Sequence, residues 1–124
     1  MTTAPRLQPV PEETAPDDLK AAFAEVRAAL GFIPDSFRMM ANHPDFFKGF
    51  WQHMKAVSEP KRIDAKTKVM LAIAIFAATN CQYGLNAQTR RLRALGADDA
   101  ELTELFAVIA FWQGLGMWNN AVGL

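Results

Sequence analysis

The chain has 124 residues, 51% of them hydrophobic, which is typical of a single domain with one continuous core. Its 13 basic residues balance its 13 acidic ones, so neither nucleic acid nor an anionic membrane is an expected partner. One cysteine cannot close an intrachain disulfide, and the amino terminus lacks a charged segment followed by an apolar one. These features predict a cytoplasmic protein.

The amino-terminal part of the chain divides into an arm and the first helix of a domain. Residues 1–13 contain three prolines and no apolar periodicity, which predicts an extended arm. Residues 14–124 are then expected to form one helical domain. Its first helix begins near Pro16 and Asp17, because proline and a carboxylate suit a helix start, and it ends at Gly31.

Two further helices follow. Pro34 and Asp35 begin a short second helix, which the His43-Pro44 step ends, because the residue before proline avoids helical angles. The third helix carries an aromatic and apolar stripe without interleaved basic residues, so we expect core packing instead of base or cofactor stacking. The stripe consists of Phe46, Phe47, Phe50, Trp51 and Met54.

Three longer helices are predicted in the second half. Asp64 caps a fourth helix through the apolar run 69–78, which is too short to span a bilayer and is expected at the centre of the fold. A fifth helix covers 82–95 and ends at Gly96, and Asp98 caps the sixth. Six helices and no alternating strand pattern predict an all-α fold.

The carboxyl-terminal helix predicts self-association. It carries more large apolar side chains than a chain of this length easily buries, among them Phe111, Trp112, Met117 and Trp118. Large apolar patches are uncommon on monomers, so we expect a homo-oligomer formed through apolar helix faces. A well-filled monomer core is the alternative.

Five short motifs in this order resemble the alkylhydroperoxidase D-like (AhpD-like) group of the carboxymuconolactone decarboxylase family. They are Leu30-Gly31-Phe32-Ile33-Pro34, His43-Pro44, Ile63-Asp64-Ala65-Lys66-Thr67-Lys68, Asn80-Cys81-Gln82-Tyr83 and Leu95-Gly96. The resemblance implies an all-helical domain that assembles as a homo-oligomer, commonly a trimer or hexamer.

For active peroxidases of this group, the resemblance implies a glutamate on the apolar helix, a Cys-x-x-Cys motif, and a histidine four residues after the second cysteine. One thiolate attacks the peroxide, the other resolves the sulfenic acid, and the glutamate and histidine relay protons. At the matching positions this chain keeps Cys81 but has Val69, Gly84 and Gln88 in place of the glutamate, second cysteine and histidine.

Cys81 and the polar residues after it allow two interpretations each. The amino end of the fifth helix favours a thiolate at Cys81, whereas free cysteines are commonly buried and inert. Gln82, Tyr83, Asn86 and Gln88 suit a binding pocket better than acid–base catalysis, or are simply surface polarity.

Catalysis by a histidine, catalysis by paired charged residues and metal binding are less favoured. His53 is a candidate displaced base, although a lone histidine is more often structural. The first turn of the fourth helix, with Asp64, Lys66 and Lys68, is interpreted as a cap with a solvated surface. One cysteine and two histidines without ligand spacing do not form a zinc set, so neither a metal nor a cofactor is expected.

The sequence leaves three functions open. The leading hypothesis is a protein that has lost dithiol hydroperoxide reductase activity and keeps an oligomeric scaffold with a small-molecule pocket. The first alternative is a single-cysteine peroxidase or redox sensor that uses Cys81. The second is a lyase acting on a carboxylated lactone, which would need His43 or His53 to face the pocket.

Overall fold

The computed structural model describes residues 4–124, and the first three residues of the predicted arm lie outside this range. The helices of the described residues are α1 (Asp17–Leu30), α2 (Asp35–Met40), α3 (Pro44–Ser58), α4 (Ala65–Ala78), α5 (Gln82–Ala94) and α6 (Asp99–Val122). No strand occurs in this range, so the prediction of six helices in an all-α fold is confirmed. The contacts divide into two units, one ending at Ser58 and one covering Glu59–Leu124. That residues 14–124 form a single domain stays a prediction.

The helix boundaries of the first unit follow local chemistry. Pro16 precedes α1, and Gly31 ends it in the left-handed conformation (φ 85°), where its N–H donates to the Arg27 carbonyl at 2.8 Å. The chain between α2 and α3 turns at His43, whose Nδ1 accepts a hydrogen bond from the Phe46 N–H at 3.2 Å. This bond satisfies one of the amide groups that a helix start leaves unpaired.

The core of the first unit is aromatic. The rings of Phe23 and Phe47 have centroids 5.2 Å apart, and Phe37 lies 5.9 Å from Phe47. Phe47 and Trp51, one helical turn apart on α3, are both buried. The prediction that the whole α3 stripe packs in the core is wrong for Phe46 and Phe50, which are 55% and 36% exposed because only one side of α3 is covered.

The described part of the predicted arm lies against its own unit. The Val10 N–H donates to the Arg38 carbonyl at 3.0 Å, and Asn42 Nδ2 donates to the Gln8 carbonyl at 2.8 Å. Val10 also packs against the buried core of the unit. One backbone hydrogen bond, one hydrogen bond from a side chain and one apolar contact therefore fix the path of the arm.

In the second unit, two aspartates begin helices as predicted. Asp64 accepts a hydrogen bond from the Thr67 N–H at 2.7 Å before α4, and Asp98 accepts one from the Glu101 N–H at 2.9 Å before α6. Gly96, with φ 100°, allows the turn between α5 and α6. The buried core of this unit consists of Val69, Ile73, Leu92, Ala97 and Leu102.

The apolar helix α4 is covered on one side only. Val69 and Ile73 are buried, whereas Leu71 and Ile75 are 52% and 61% exposed. The prediction of a fully central α4 is therefore wrong for this chain, because α5 and α6 of the second unit cover only the face that carries Val69 and Ile73. No helix within residues 4–124 is both long and apolar enough to cross a membrane.

Candidate functional site

Cys81 lies at the reversal between α4 and α5. Its N–H donates to the Phe76 carbonyl at 2.9 Å, and its own carbonyl accepts from the Leu85 N–H at 2.9 Å. Asn80, before it, has a positive φ of 58°, a conformation that asparagine tolerates better than most residues. The Cys81 thiol is free and half-buried, at the residue directly before α5, as the sequence predicts.

Gly84 is buried beneath an aromatic ring. A Cβ atom added at Gly84 would lie 2.6–2.7 Å from three ring carbons of Phe76. Non-bonded carbon atoms approach comfortably to about 3.5–4.0 Å, so no side chain fits at residue 84 unless the ring moves. The ring of Phe76 therefore fills the space that a side chain at residue 84 would need.

Val69 lies in the apolar core of the second unit. It packs in the same buried cluster as Ile73, Leu92 and Leu102. A carboxylate there would be costly without a charged partner, because burial in apolar surroundings disfavours an ionised group. The surroundings of Val69 therefore fit the valine and would not suit a glutamate.

The predicted polar cluster divides between two faces of α5. Cys81, Gly84 and Gln88 follow at spacings of three and four, so they lie on one face, and Gln88 is half-buried. Gln82 and Asn86, also four residues apart, lie on a different face and are exposed. Of the predicted pocket residues on α5, Gly84 and Gln88 thus share the side of Cys81.

Residues 44–124 match the sequence model of the carboxymuconolactone decarboxylase family. This segment includes α3 through α6 and every α4 and α5 position described above. The chain belongs to the carboxymuconolactone decarboxylase family.

This member of the carboxymuconolactone decarboxylase family is also similar to two further proteins. The chain is 25% identical over 81 residues to the uncharacterized protein MJ1511 of Methanocaldococcus jannaschii, an alignment that covers 65% of this chain and 76% of that protein. Its fold is similar to the crystal structure of the alkylhydroperoxidase AhpD core from Rhodospirillum rubrum ATCC 11170, with a TM-score of 0.89 and 25% identity. That match covers 98% of this chain and 93% of the other. The chain is thus an AhpD-like member of the family.

The two histidines of this family member lie in its first unit. His53 is exposed on α3, and His43 uses Nδ1 to accept the Phe46 N–H. The roles of His53 as a displaced base and of either histidine in a lyase reaction stay predictions. No group of three or more metal-ligating side chains occurs among residues 4–124.

Sequence reasoning missed two contacts in this carboxymuconolactone decarboxylase family chain. The first is the contact of the Phe76 ring with Gly84. A glycine inside the first turn weakens a helix, so its presence at residue 84 could have indicated that close packing requires it. The second is the half-buried pair of Lys66 Nζ and Glu101 Oε1, 2.5 Å apart, which joins α4 to α6. The Lys66 side chain keeps 38% of its surface exposed, so the predicted solvated first turn of α4 also takes part in an ion pair.

Proposed function

We propose that this AhpD-like protein has lost dithiol hydroperoxide reductase activity and retains its helical scaffold as a small-molecule-binding protein. The observation that carries the proposal is the position of the Phe76 ring against Gly84. A dithiol reductase needs a second thiol within bonding distance of the first, and here an aromatic ring fills the space next to residue 84.

The proton-relay positions support the same proposal. Val69 has no ionisable group and packs in an apolar core. Gln88 donates and accepts hydrogen bonds but does not exchange a proton near neutral pH. Reduction of a peroxide needs a proton for the leaving oxygen, and neither residue supplies it. All three replaced positions therefore oppose turnover by this route.

Binding of a small neutral or polar molecule is the function that these residues still permit. Gln88 is half-buried on the side of α5 that carries Cys81, and its amide offers both a donor and acceptors. Binding sites combine apolar walls with a few placed polar groups, and the apolar α4 side chains next to α5 provide such a wall.

A peroxidase assay tests the loss of activity. The purified protein is mixed with cumene hydroperoxide and dithiothreitol, and peroxide consumption is compared with that of the Cys81→Ser variant. We expect equal rates for the two proteins, both at the level of the buffer alone. Catalytic turnover by the wild-type chain that Cys81→Ser abolishes would show that the proposal is wrong.

A single-cysteine peroxidase or redox sensor is the second candidate function. It is favoured by the half-buried, free thiol of Cys81 and by the first turn of α5, where no side chain caps the amide groups. A sulfenic acid at Cys81 would be resolved by an external thiol, which forms a mixed disulfide and releases water.

The rate of alkylation distinguishes the two functions. Iodoacetamide is added at neutral pH, and the rate of Cys81 modification is compared with that of a cysteine in an unstructured peptide. A sensor or peroxidase requires Cys81 to react about tenfold faster or more, since the thiolate is the nucleophile. A rate at or below that of the peptide excludes this second function and agrees with an inert thiol.

A further inference from the structure

The ring of Phe76 packs with its face on the backbone of Gly84. A Cβ atom at residue 84 would lie 2.6 Å from one ring carbon and 2.7 Å from each of the two carbons bonded to it. An approach to the edge of the ring would leave those two carbons clearly farther away than the first, so the Cβ position lies over the face. The space that the ring fills on α5, the ring slot, is therefore flat and as thick as one aromatic ring.

The Phe76 side chain can leave the ring slot without emptying the core of the second unit. Gly84 is buried, whereas Phe76 is only half-buried and is not part of the buried cluster of this unit. The backbone of Phe76 is fixed, because its carbonyl accepts the Cys81 N–H at 2.9 Å. Opening of the slot therefore requires only a change of the Phe76 rotamer.

One polar side chain lies beside the ring slot on α5. Gln88 is one helical turn after Gly84 on the same face and is half-buried. Its amide offers both a hydrogen-bond donor and acceptors. A site with apolar surfaces and one placed polar group suits a molecule that is apolar over most of its surface and carries one hydrogen-bonding group.

We propose that the ring slot is the binding site of the protein and that it takes a flat, single-ring compound with a hydroxyl or similar hydrogen-bonding substituent. The compound displaces the Phe76 ring, lies on Gly84 and forms a hydrogen bond with Gln88. A puckered ring is thicker than an aromatic one, so the slot discriminates against it by steric clash. This inference rests on the small-molecule binding of the proposed function and adds the ligand class and the residue that closes the site.

The closed position of the Phe76 ring lowers the apparent affinity of the site. Opening exposes apolar surface of the ring to water, so the open state is a minor one with a population on the order of 1–10%. The apparent dissociation constant of a ligand that binds only the open state is raised in proportion, by about 10–100-fold. Removal of the ring should therefore tighten binding by this factor.

An NMR titration with phenol and cyclohexanol tests the ring slot. Both probes carry a hydroxyl group on a ring of the same size, but only phenol is flat. We expect phenol to shift the backbone amide signals of Gly84 and Gln88 and to leave that of Gly49 on α3 unchanged. Phenol should also bind at least about fivefold more tightly than cyclohexanol, a difference that corresponds to one moderate steric clash.

Matched variants locate the binding site. Phe76→Ala should bind phenol about 10–100-fold more tightly than the wild type, whereas Phe50→Ala, the same change at a residue of α3 that is 36% exposed, should bind like the wild type. Gln88→Leu should bind phenol about fivefold more weakly and toluene as before, because only phenol loses a hydrogen bond. Circular dichroism checks that the helices are retained, and Gln88→Leu provides the test if Phe76→Ala does not fold.

Three results would overturn the inference. They are an unchanged Gly84 signal, equal affinities for phenol and cyclohexanol, and phenol binding that Phe76→Ala does not tighten and Gln88→Leu does not weaken. Each of them leaves the loss of reductase activity untouched, because the peroxidase assay with Cys81→Ser judges that loss separately. Catalytic turnover in that assay, together with phenol binding at Gly84, would contradict the proposed function and support the ring slot.

Discussion

The ring of Phe76 lies 2.6 Å from the point at which a side chain of residue 84 would begin, and the absence of that side chain allows α5 to pack this closely on α4. The same Phe76 accepts the Cys81 N–H through its backbone carbonyl. One residue of α4 therefore contacts both positions at which the dithiol pattern expects cysteine.

Gly84→Ala is expected to destabilise the protein, although alanine is the better helix former. The added methyl group must displace the Phe76 ring, and overpacking of this kind costs about 1–3 kcal/mol in free energy of unfolding. Urea denaturation measures this difference.

A second glycine and a double variant serve as controls for this prediction. Gly49→Ala, on an open part of α3, should stabilise the protein by about 0.5–1 kcal/mol. In a Phe76→Ala background, Gly84→Ala should lose most of its cost, because the ring is gone. A cost that stays the same in that background would contradict the steric explanation.

Gly84→Cys is expected to be a poor disulfide former as long as Phe76 is present. We compare it with Gly84→Cys/Phe76→Ala after incubation with oxidised glutathione. In the productive reaction the two thiols lose two protons and two electrons, an intrachain disulfide forms, and oxidised glutathione is reduced to two glutathione thiols. The double variant should form this bond faster, as measured by mass spectrometry and thiol titration.

Glutathionylation without ring closure is the expected product for the single variant. If Gly84→Cys forms the intrachain bond as fast as the double variant, the Phe76 ring does not restrict residue 84. In that case the Phe76 ring would move aside more easily than its short distance from the Gly84 Cβ position implies.

The cap of α4 gives a pH dependence with a defined sign. The hydrogen bond from the Thr67 backbone N–H holds the pKa of the Asp64 carboxyl below its ordinary value of 3.8. Because the pKa is lower in the folded state, this group contributes stability above the unfolded value and loses that contribution as the pH falls through the folded value.

Asp64→Asn isolates this titration, because asparagine also caps helices but carries no charge. We expect the difference in stability between wild type and Asp64→Asn to shrink as the pH falls from neutral to below 3.8. Thermal unfolding at a series of pH values measures it. A difference that stays constant over this range would contradict the role of the carboxylate.

Asn42 is expected to hold the amino-terminal arm. Its Nδ2 donates to the Gln8 carbonyl at 2.8 Å and to the Met39 carbonyl at 2.9 Å. Asn42→Ala removes both bonds, so the Val10 N–H, which donates to the Arg38 carbonyl, should exchange with solvent faster. If the local opening free energy at Val10 falls by about 1 kcal/mol, the exchange of its N–H becomes roughly fivefold faster.

Hydrogen exchange followed by mass spectrometry measures this effect. Amides of the α3 core, such as that of Trp51, are the internal control and should keep their protection. Equal exchange at Val10 in the variant and the wild type would show that the apolar contact of Val10 alone fixes the arm.

The sequence by itself determined the helices and their ends. Asp64 and Asp98 cap the starts of α4 and α6, Gly31 ends α1 with a positive φ, and the His43-Pro44 step separates α2 from α3. These features could be predicted because each depends on only a few neighbouring residues of the chain. The ordered motifs also sufficed to place the chain in its family, and they indicated that Cys81 precedes α5.

Only the tertiary structure decided what lies next to these residues. Whether Phe46 and Phe50 are covered, which charge Lys66 meets, and what fills the space at Gly84 depend on contacts between helices far apart in the chain. Periodicity tells which side chains share a face of a helix, but it carries no information about the neighbouring helix that packs there. The contact of Phe76 with Gly84 could therefore not be predicted from periodicity, because it depends on how closely α4 and α5 approach each other.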